Sequence, residues 1–181
     1  MGLFYTGKGD GGQSNIGGKK IDKTCVEMRS LGELDELNSL LGLARTQKIS
    51  AKTKAILKDI QQDLFIVQAN IGALLFGNEW PAPPLLPEKI KKLEQWIDDF
   101  EKKVKPARGF IIAGENQASA WLDLARTVSR RAEREVLVVA KEQAIDANVL
   151  AYMNRLSSLM FALARLEAKK RKTKEEHPRY N

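Results

Sequence analysis

The chain has 181 residues, enough for one domain with a real core, and its 43% apolar and 29% charged content is that of an ordinary globular protein. One cysteine, Cys25, rules out an internal disulfide framework or a cysteine-based metal cluster, and a single histidine, His177 in a polar tail, argues against histidine catalysis or a histidine zinc site. The formal charge is +7, but six basic and two acidic residues crowd into 169–181, so the high pI is weak support for nucleic-acid binding. The N-terminus lacks a charged stretch followed by a long apolar run, and no segment could span a bilayer. The expectation is a cytoplasmic protein that does not enter membranes.

Residues 1–23 are glycine-rich, with no helical period, and Leu3-Phe4-Tyr5 reads as a very short strand or an apolar anchor. From Thr6 to Lys20 the glycines let the backbone take positive φ and approach a ligand closely, and successive N–H groups can form an anion-binding nest. Gly7-Lys8-Gly9-Asp10-Gly11-Gly12 fits the dinucleotide-binding glycine pattern, but no strand, helix and βαβ unit surround it. The P-loop pattern fails because Gly18 and Lys20 stand where Lys and Ser or Thr are needed. The stretch reads either as a phosphate-compatible loop of neither standard kind or as a flexible arm.

Helical spacing begins at about Thr24 and runs to Gln47 through Val26, Met28, Leu31, Leu34, Leu37, Leu41 and Leu43, with Asp35 and Asn38 on a more polar edge and Gly32 and Gly42 allowing close approach. A second helix runs from about Ala51 to Phe76 through Ile56, Ile60, Leu64, Val67, Ile71 and Leu74. Pro81, Pro83 and Pro84 make the next stretch a connector, and Pro87 suits the first turn of a third helix reaching about Val104, with the stripe Ile90, Leu93, Trp96, Ile97 and Phe100. Pro106 and Gly109 end it, and 110–114 is a short apolar connector. The fourth helix, to about Lys141, buries Trp121, Leu122, Ala125, Val128, Ala132 and Val136. Its second face carries Arg126, Arg130, Glu133 and Arg134, either a site for a bound polyanion or acidic partner or a solvated basic stripe. Asp146 caps a fifth helix with the stripe Val149, Tyr152, Met153, Leu156, Leu159, Met160, Leu163 and Leu166. Trp80, Trp96 and Trp121 read as packing groups. The whole is expected to be all-α: an extended antiparallel five-helix bundle in one domain, with a glycine-rich N-terminal loop over 1–23, the bundle over 24–168 and a basic tail over 169–181.

Three motifs together resemble the PduO-type ATP:corrinoid adenosyltransferase family: Tyr5-Thr6-Gly7-Lys8-Gly9-Asp10-Gly11-Gly12 with Gly17-Gly18; Leu31-Gly32-Glu33-Leu34-Asp35-Glu36-Leu37-Asn38; and 125–134 followed by Tyr152-Met153-Asn154-Arg155-Leu156-Ser157. The resemblance covers roughly residues 5–166. It implies transfer of the 5′-deoxyadenosyl group of ATP to cob(I)alamin, giving adenosylcobalamin and triphosphate. It also implies a homotrimer of five-helix subunits with active sites between neighbours, and a cobalamin reductase or cobalamin-dependent enzyme as a further partner. By position, Thr6, Gly7, Lys8, Gly9, Asp10, Ser14 and Lys23 would surround the ATP phosphates and Mg²⁺, which comes with ATP rather than being held by side chains alone. Arg130, Arg131, Glu133, Arg134 and Asn154 would complete the nucleotide site. Arg126 would pair across the subunit boundary with Asp35, so that Arg126, Arg130 and Asp35 carry the catalytic arrangement, and Phe110 would lie against the corrinoid.

The residues suit that chemistry. Co(I) is itself the nucleophile, so neither a protein nucleophile nor a general base is required, and the protein's task is positioning and stabilising charge on the leaving triphosphate. An aromatic group on the far face of the corrin would exclude water and an axial ligand and ease reduction of Co(II). The chain departs from the family pattern where Ser14 stands for Thr, Ile16 for Leu, Ile112-Ala113-Gly114-Glu115 for a Pro-Gly-Gly-type turn, and Asp123 for a frequent His. Taken singly, Asp35 and Lys23 also read as surface charges, Phe110 as a core plug and Asn154 as an interhelical contact. A non-catalytic ATP-binding sensor on the same bundle and a basic RNA-binding helical protein are the competing functions, the latter requiring salt-sensitive binding through 169–174.

Overall fold

Capping chemistry sets most of the helix boundaries. The computed structural model describes residues 5, 7–77, 80–105, 109–171 and 176–180. It contains β1 (Gln13–Ile16), β2 (Lys19–Asp22), α1 (Val26–Thr46), α2 (Ala51–Leu74), α3 (Pro87–Val104), α4 (Gln117–Glu142) and α5 (Ala147–Lys170). The Ser50 hydroxyl accepts from Thr53 N at 3.2 Å to start α2, and Pro87 occupies the first turn of α3. Asn116 and Ser119 form a reciprocal capping box on α4. Asp146 accepts from Asn148 N at 2.8 Å and opens α5 as expected. α3 stops where Lys105 turns left-handed at φ 51°, ahead of Pro106.

Cross-links reveal the sense of packing: α1 runs antiparallel to α4 and α2 to α3, whereas α3 and α5 run parallel, with Arg155 meeting Glu94 at 3.0 Å and Lys169 Nζ donating to Lys103 O at 2.8 Å. Glu27 at the start of α1 takes a hydrogen bond from Gln143 just past the end of α4, and Arg29 meets Glu135 at 2.8 Å. Lys89 bonds Asp63 and Lys92 meets Asp59 at 3.0 Å, so α3 runs back along α2. α4 packs on α1 and α5, and α3 packs on α5. The core joins Leu34, Leu37 and Leu41 of α1 to Ile60 and Leu64 of α2, Leu93 and Phe100 of α3, Leu122 and Val128 of α4, and Tyr152, Leu156 and Leu163 of α5. Each such side chain contributes roughly 1.5–3 kcal/mol by leaving water, which is why these stripes rather than local propensity hold long helices together. Asp63, buried beside this core, accepts from the Tyr152 hydroxyl at 3.1 Å while also holding Lys89, tying α2, α3 and α5 at one point.

Three expectations need correction. The glycine-rich stretch is not only a loop: residues 13–22 form a two-stranded antiparallel hairpin, with Ile16 opposite Lys19. Gly17 and Gly18 sit at φ 57° and 83°, both positive as a type I′ two-residue turn demands, so the Gly-Gly pair was the hairpin signal. Leu43 is not in the core stripe but 42% exposed, because it stands two residues, about 200°, around the helix from buried Leu41. Trp80 is 58% exposed; it lies over Phe76 with ring centroids 5.0 Å apart, and Phe76 is the buried member of that pair.

Candidate active site

A cavity of about 630 Å³ opens between α3, α4 and α5. Its wall includes Phe110 from the α3–α4 connector, Arg126 and Arg130 from α4, and Ser157, Phe161 and Arg165 from α5. Arg126 and Arg130 are one helical turn apart, so both guanidiniums reach the same side of α4. The Arg126 Nε is buried without a hydrogen-bond partner among the described residues, while Arg130 is exposed. Phe110 is 77% exposed, which rejects the core-plug reading: it stands at the cavity rim as an exposed apolar face.

Beneath the rim lies an ionic cluster. Arg165, 1% exposed, donates to Glu115 and, at 2.6 Å, to Asp123. Burial pushes Glu115 up, but Arg165, its own backbone and Ser119 outweigh that and hold its carboxyl below the usual range. Asp123 goes the other way: burial dominates Arg165 and Arg126, and its carboxyl is raised. Burial likewise lowers the Arg165 guanidinium, yet the two carboxylates reverse this and hold its proton more firmly. The two departures from the family pattern on this side, Glu115 and Asp123, thus meet on one guanidinium. Sequence reasoning missed Arg165, which stands about 200° around α5 from core Leu163, opposite the predicted stripe, so that no periodic signal marked it as buried.

The other expected residues fall into separate groups. Arg131 is committed to α1, bonding Glu36 and Glu33, the latter at 2.5 Å, and these two carboxylates raise its pKa. Asn154 Nδ2 donates to Glu133 Oε1 at 2.8 Å, joining α4 and α5, and its Oδ1 accepts from Arg155 at 2.7 Å. Arg134 and Asp35 are exposed, and among the described residues Asp35 makes no ion pair, with Arg126 or otherwise.

Thr6 lies outside the described residues. Beyond it the arm is folded on itself: Gly12 N bonds Gly9 O at 3.2 Å, Lys23 N bonds Gly12 O at 3.0 Å, and the Lys23 ammonium donates to Gly9 O at 2.7 Å. Lys23 is therefore a loop-closing lysine rather than an idle surface one. Asp22 accepts from both the hydroxyl and the amide of Thr24, in that order of strength, and its carboxyl is lowered. Gly7, Lys8 and Asp10 are exposed and Ser14 is half-buried. The hairpin is seated on the end of α2, where Lys19 Nζ donates to Phe76 O at 3.4 Å and Phe76 packs under Gly17. Among the described residues, none of the arm lines the cavity. In one chain Phe110, Arg126 and Arg130 surround the cavity, while the described part of the glycine arm lies at the end of the bundle where α1 begins.

Comparison with known proteins agrees over nearly the whole chain. A family model described as cobalamin adenosyltransferase matches residues 4–167. The corrinoid adenosyltransferase PduO of Salmonella typhimurium is 35% identical over 168 residues, covering 91% of this chain but 49% of the relative, so the chain spans about half the length of that protein. The corrinoid adenosyltransferase of Bacillus subtilis is 35% identical over 167 residues, covering 90% of this chain and 85% of the relative. Among solved structures, a variant of the PduO-type ATP:corrinoid adenosyltransferase of Lactobacillus reuteri complexed with cobalamin and ATP superposes with a TM-score of 0.90 at 30% identity, covering 98% and 97% of the two chains.

Proposed function

This chain belongs to the cobalamin adenosyltransferase family, and on that premise we propose that it transfers the 5′-deoxyadenosyl group of ATP to cob(I)alamin. The observation that carries the reading is the cavity that gathers an exposed aromatic, Phe110, with two guanidiniums, Arg126 and Arg130. In the reaction the Co(I) electron pair attacks C5′ of ATP, the C5′–O5′ bond breaks, and its electrons leave on triphosphate. Cobalt is oxidised to Co(III) as the carbon–cobalt bond forms, and no proton moves, so a chain with one histidine in its tail lacks nothing. The catalytic demand falls on the leaving group, whose charge Arg130 and the arm would take up. Lys8, Lys23 and the backbone N–H groups of 7–12 are suited to a triphosphate, with Arg131, Glu133, Arg134 and Asn154 holding the nucleotide from a bundle.

Mg²⁺ is expected to arrive on the triphosphate. Asp10 and Ser14 offer the hard oxygen donors it prefers, both on the arm, so the residues fit. It adds positive charge to the leaving group. Because the arm and the cavity are apart in one chain, the complete site is read as forming between subunits of a homotrimer, with Asp35 of one subunit reaching Arg126 of the next. That pairing would engage the terminal guanidinium nitrogens of half-buried Arg126. A cobalamin reductase or cobalamin-dependent enzyme completes the proposed set of partners. Among the described residues no helix is long and apolar enough to cross a membrane, and a cytoplasmic location is part of the same reading.

The test is to mix the protein with ATP, Mg²⁺ and chemically reduced cobalamin. The expected result is an alkyl-cobalt absorbance growing in step with triphosphate. ATP binding with no alkyl-cobalt product would favour a non-catalytic sensor and overturn the proposal.

A further inference from the structure

We propose that the buried Glu115–Arg165 ion pair is a positioning device that sets Phe110 at the rim of the cavity, an inference that rests on the reading of Phe110 as the corrinoid-facing residue. Phe110 rides on residues 109–116, which have neither helical nor strand structure. Gly109 and Gly114 adopt φ 115° and 102°, conformations open to glycine, and no proline fixes the backbone between them, so the segment does not hold its own shape. Its backbone bonds are few and exposed: Ile112 N donates to Glu176 O at 2.8 Å, and Phe110 O lies 2.8 Å from His177 Nδ1, both with the C-terminal segment.

Its buried attachment is Glu115. One carboxylate oxygen takes a bond from Arg165 on α5, and the other accepts from Ser119 Oγ in the first turn of α4 at 3.1 Å. The side chains of Glu115 and Arg165 are 3% and 2% exposed. The same guanidinium stands 5.3 Å over the ring of Phe161, in the cavity wall. One arginine therefore links the anchor of the Phe110 segment to the floor beneath it. A buried ion pair is poor evidence for stability, because desolvation consumes most of its attraction; its better-attested use is to select one geometry. Here the geometry selected is the height and direction of an exposed aromatic whose role depends on where it stands.

Glu115→Ala is the direct test, because Arg165 keeps Asp123 as a partner at 2.6 Å and no charge is stranded. Amide hydrogen exchange at Ile112, whose N–H is bonded to Glu176 O, should accelerate about tenfold or more while the interiors of α4 and α5 stay protected. Starting from cob(II)alamin and a reductant, turnover should fall and the spectrum of four-coordinate Co(II) should weaken. The rate from pre-reduced cob(I)alamin and the ATP dissociation constant should hold within about twofold, since neither depends on the rim. Glu115→Gln, which keeps an acceptor facing Arg165, should recover most of the Co(II) signal. Unchanged exchange at Ile112, or acceleration spread through both helices, would overturn the positioning role. Phe110→Ala separates the two readings. If it loses the Co(II) signal and Glu115→Ala does not, the clamp is refuted and the role of Phe110 stands. If Phe110→Ala keeps the signal, the role of Phe110 fails, and hydrogen exchange alone decides the clamp.

Discussion

Replacing Gly17 with alanine probes how the nucleotide arm is held on the bundle. Gly17 and Gly18 are the central residues of one turn, at φ 57° and 83°. A Cβ at Gly18 meets nothing within 4 Å, so Gly18→Ala costs only left-handed strain, about 1–2 kcal/mol. A Cβ at Gly17 adds a contact 3.0 Å from Phe76 Cε1. Phe76 is buried and packed against Trp80, and forcing atoms into such packing costs about 1–3 kcal/mol more. The hairpin, not the helical core, absorbs this, so the difference should appear in ATP binding. At about 1.4 kcal/mol per decade, Gly17→Ala is expected to raise the ATP dissociation constant roughly tenfold above that of Gly18→Ala. Calorimetric titration with ATP and Mg²⁺ reads the difference, and helical circular dichroism checks that the bundle melts as before. Equal affinities for the two variants would refute the claim that seating on Phe76 positions the arm.

Other consequences can be checked alongside. Arg130→Ala should cut turnover from cob(I)alamin by about 10²–10³-fold with the helical fold intact, the scale for removing one preorganised donor from a developing charge; near-normal activity would count against the site. Tyr152→Phe leaves Asp63 with Lys89 but removes a bond to a charged group worth about 1.5–3 kcal/mol, so the melting temperature should drop by roughly 3–8 °C, and an unchanged value would mean that bond is idle. Asp123, raised by burial above its ordinary 3.8, binds its proton more tightly when folded, so it takes stability away as pH climbs from 3.8 to its folded value. Glu115, lowered, has the opposite sign: its contribution is present above the ordinary carboxylate range and lost as pH falls toward its folded value. Asp123→Asn should therefore melt progressively higher relative to the parent as pH rises above the ordinary 3.8 of Asp123, and a constant offset would show that Asp123 does not titrate there.

Much of this was legible in the sequence, for identifiable reasons. Helix existence and the starts at Pro87 and Asp146 are local chemistry, decided by neighbours a few residues apart, and the apolar stripes of α2 and α5 follow from a period of 3.6. The glycine arm and the arginine face of α4 were visible as residue types in a pattern. What tertiary structure alone decided is which of those groups meet. Arg131 turns to Glu33 and Glu36, Arg126 keeps a buried nitrogen unpartnered among the described residues, and Lys23 closes back on Gly9. Glu115, Asp123 and Arg165, spread over fifty residues of chain, converge at 2% to 7% side-chain exposure beneath Phe110. No periodicity announces such a cluster, because each member is ordinary on its own element. Its placement depends on the relative rotation of α4 and α5 and the path of the α3–α4 connector, and those are set by the packing of the whole bundle rather than by any local stretch.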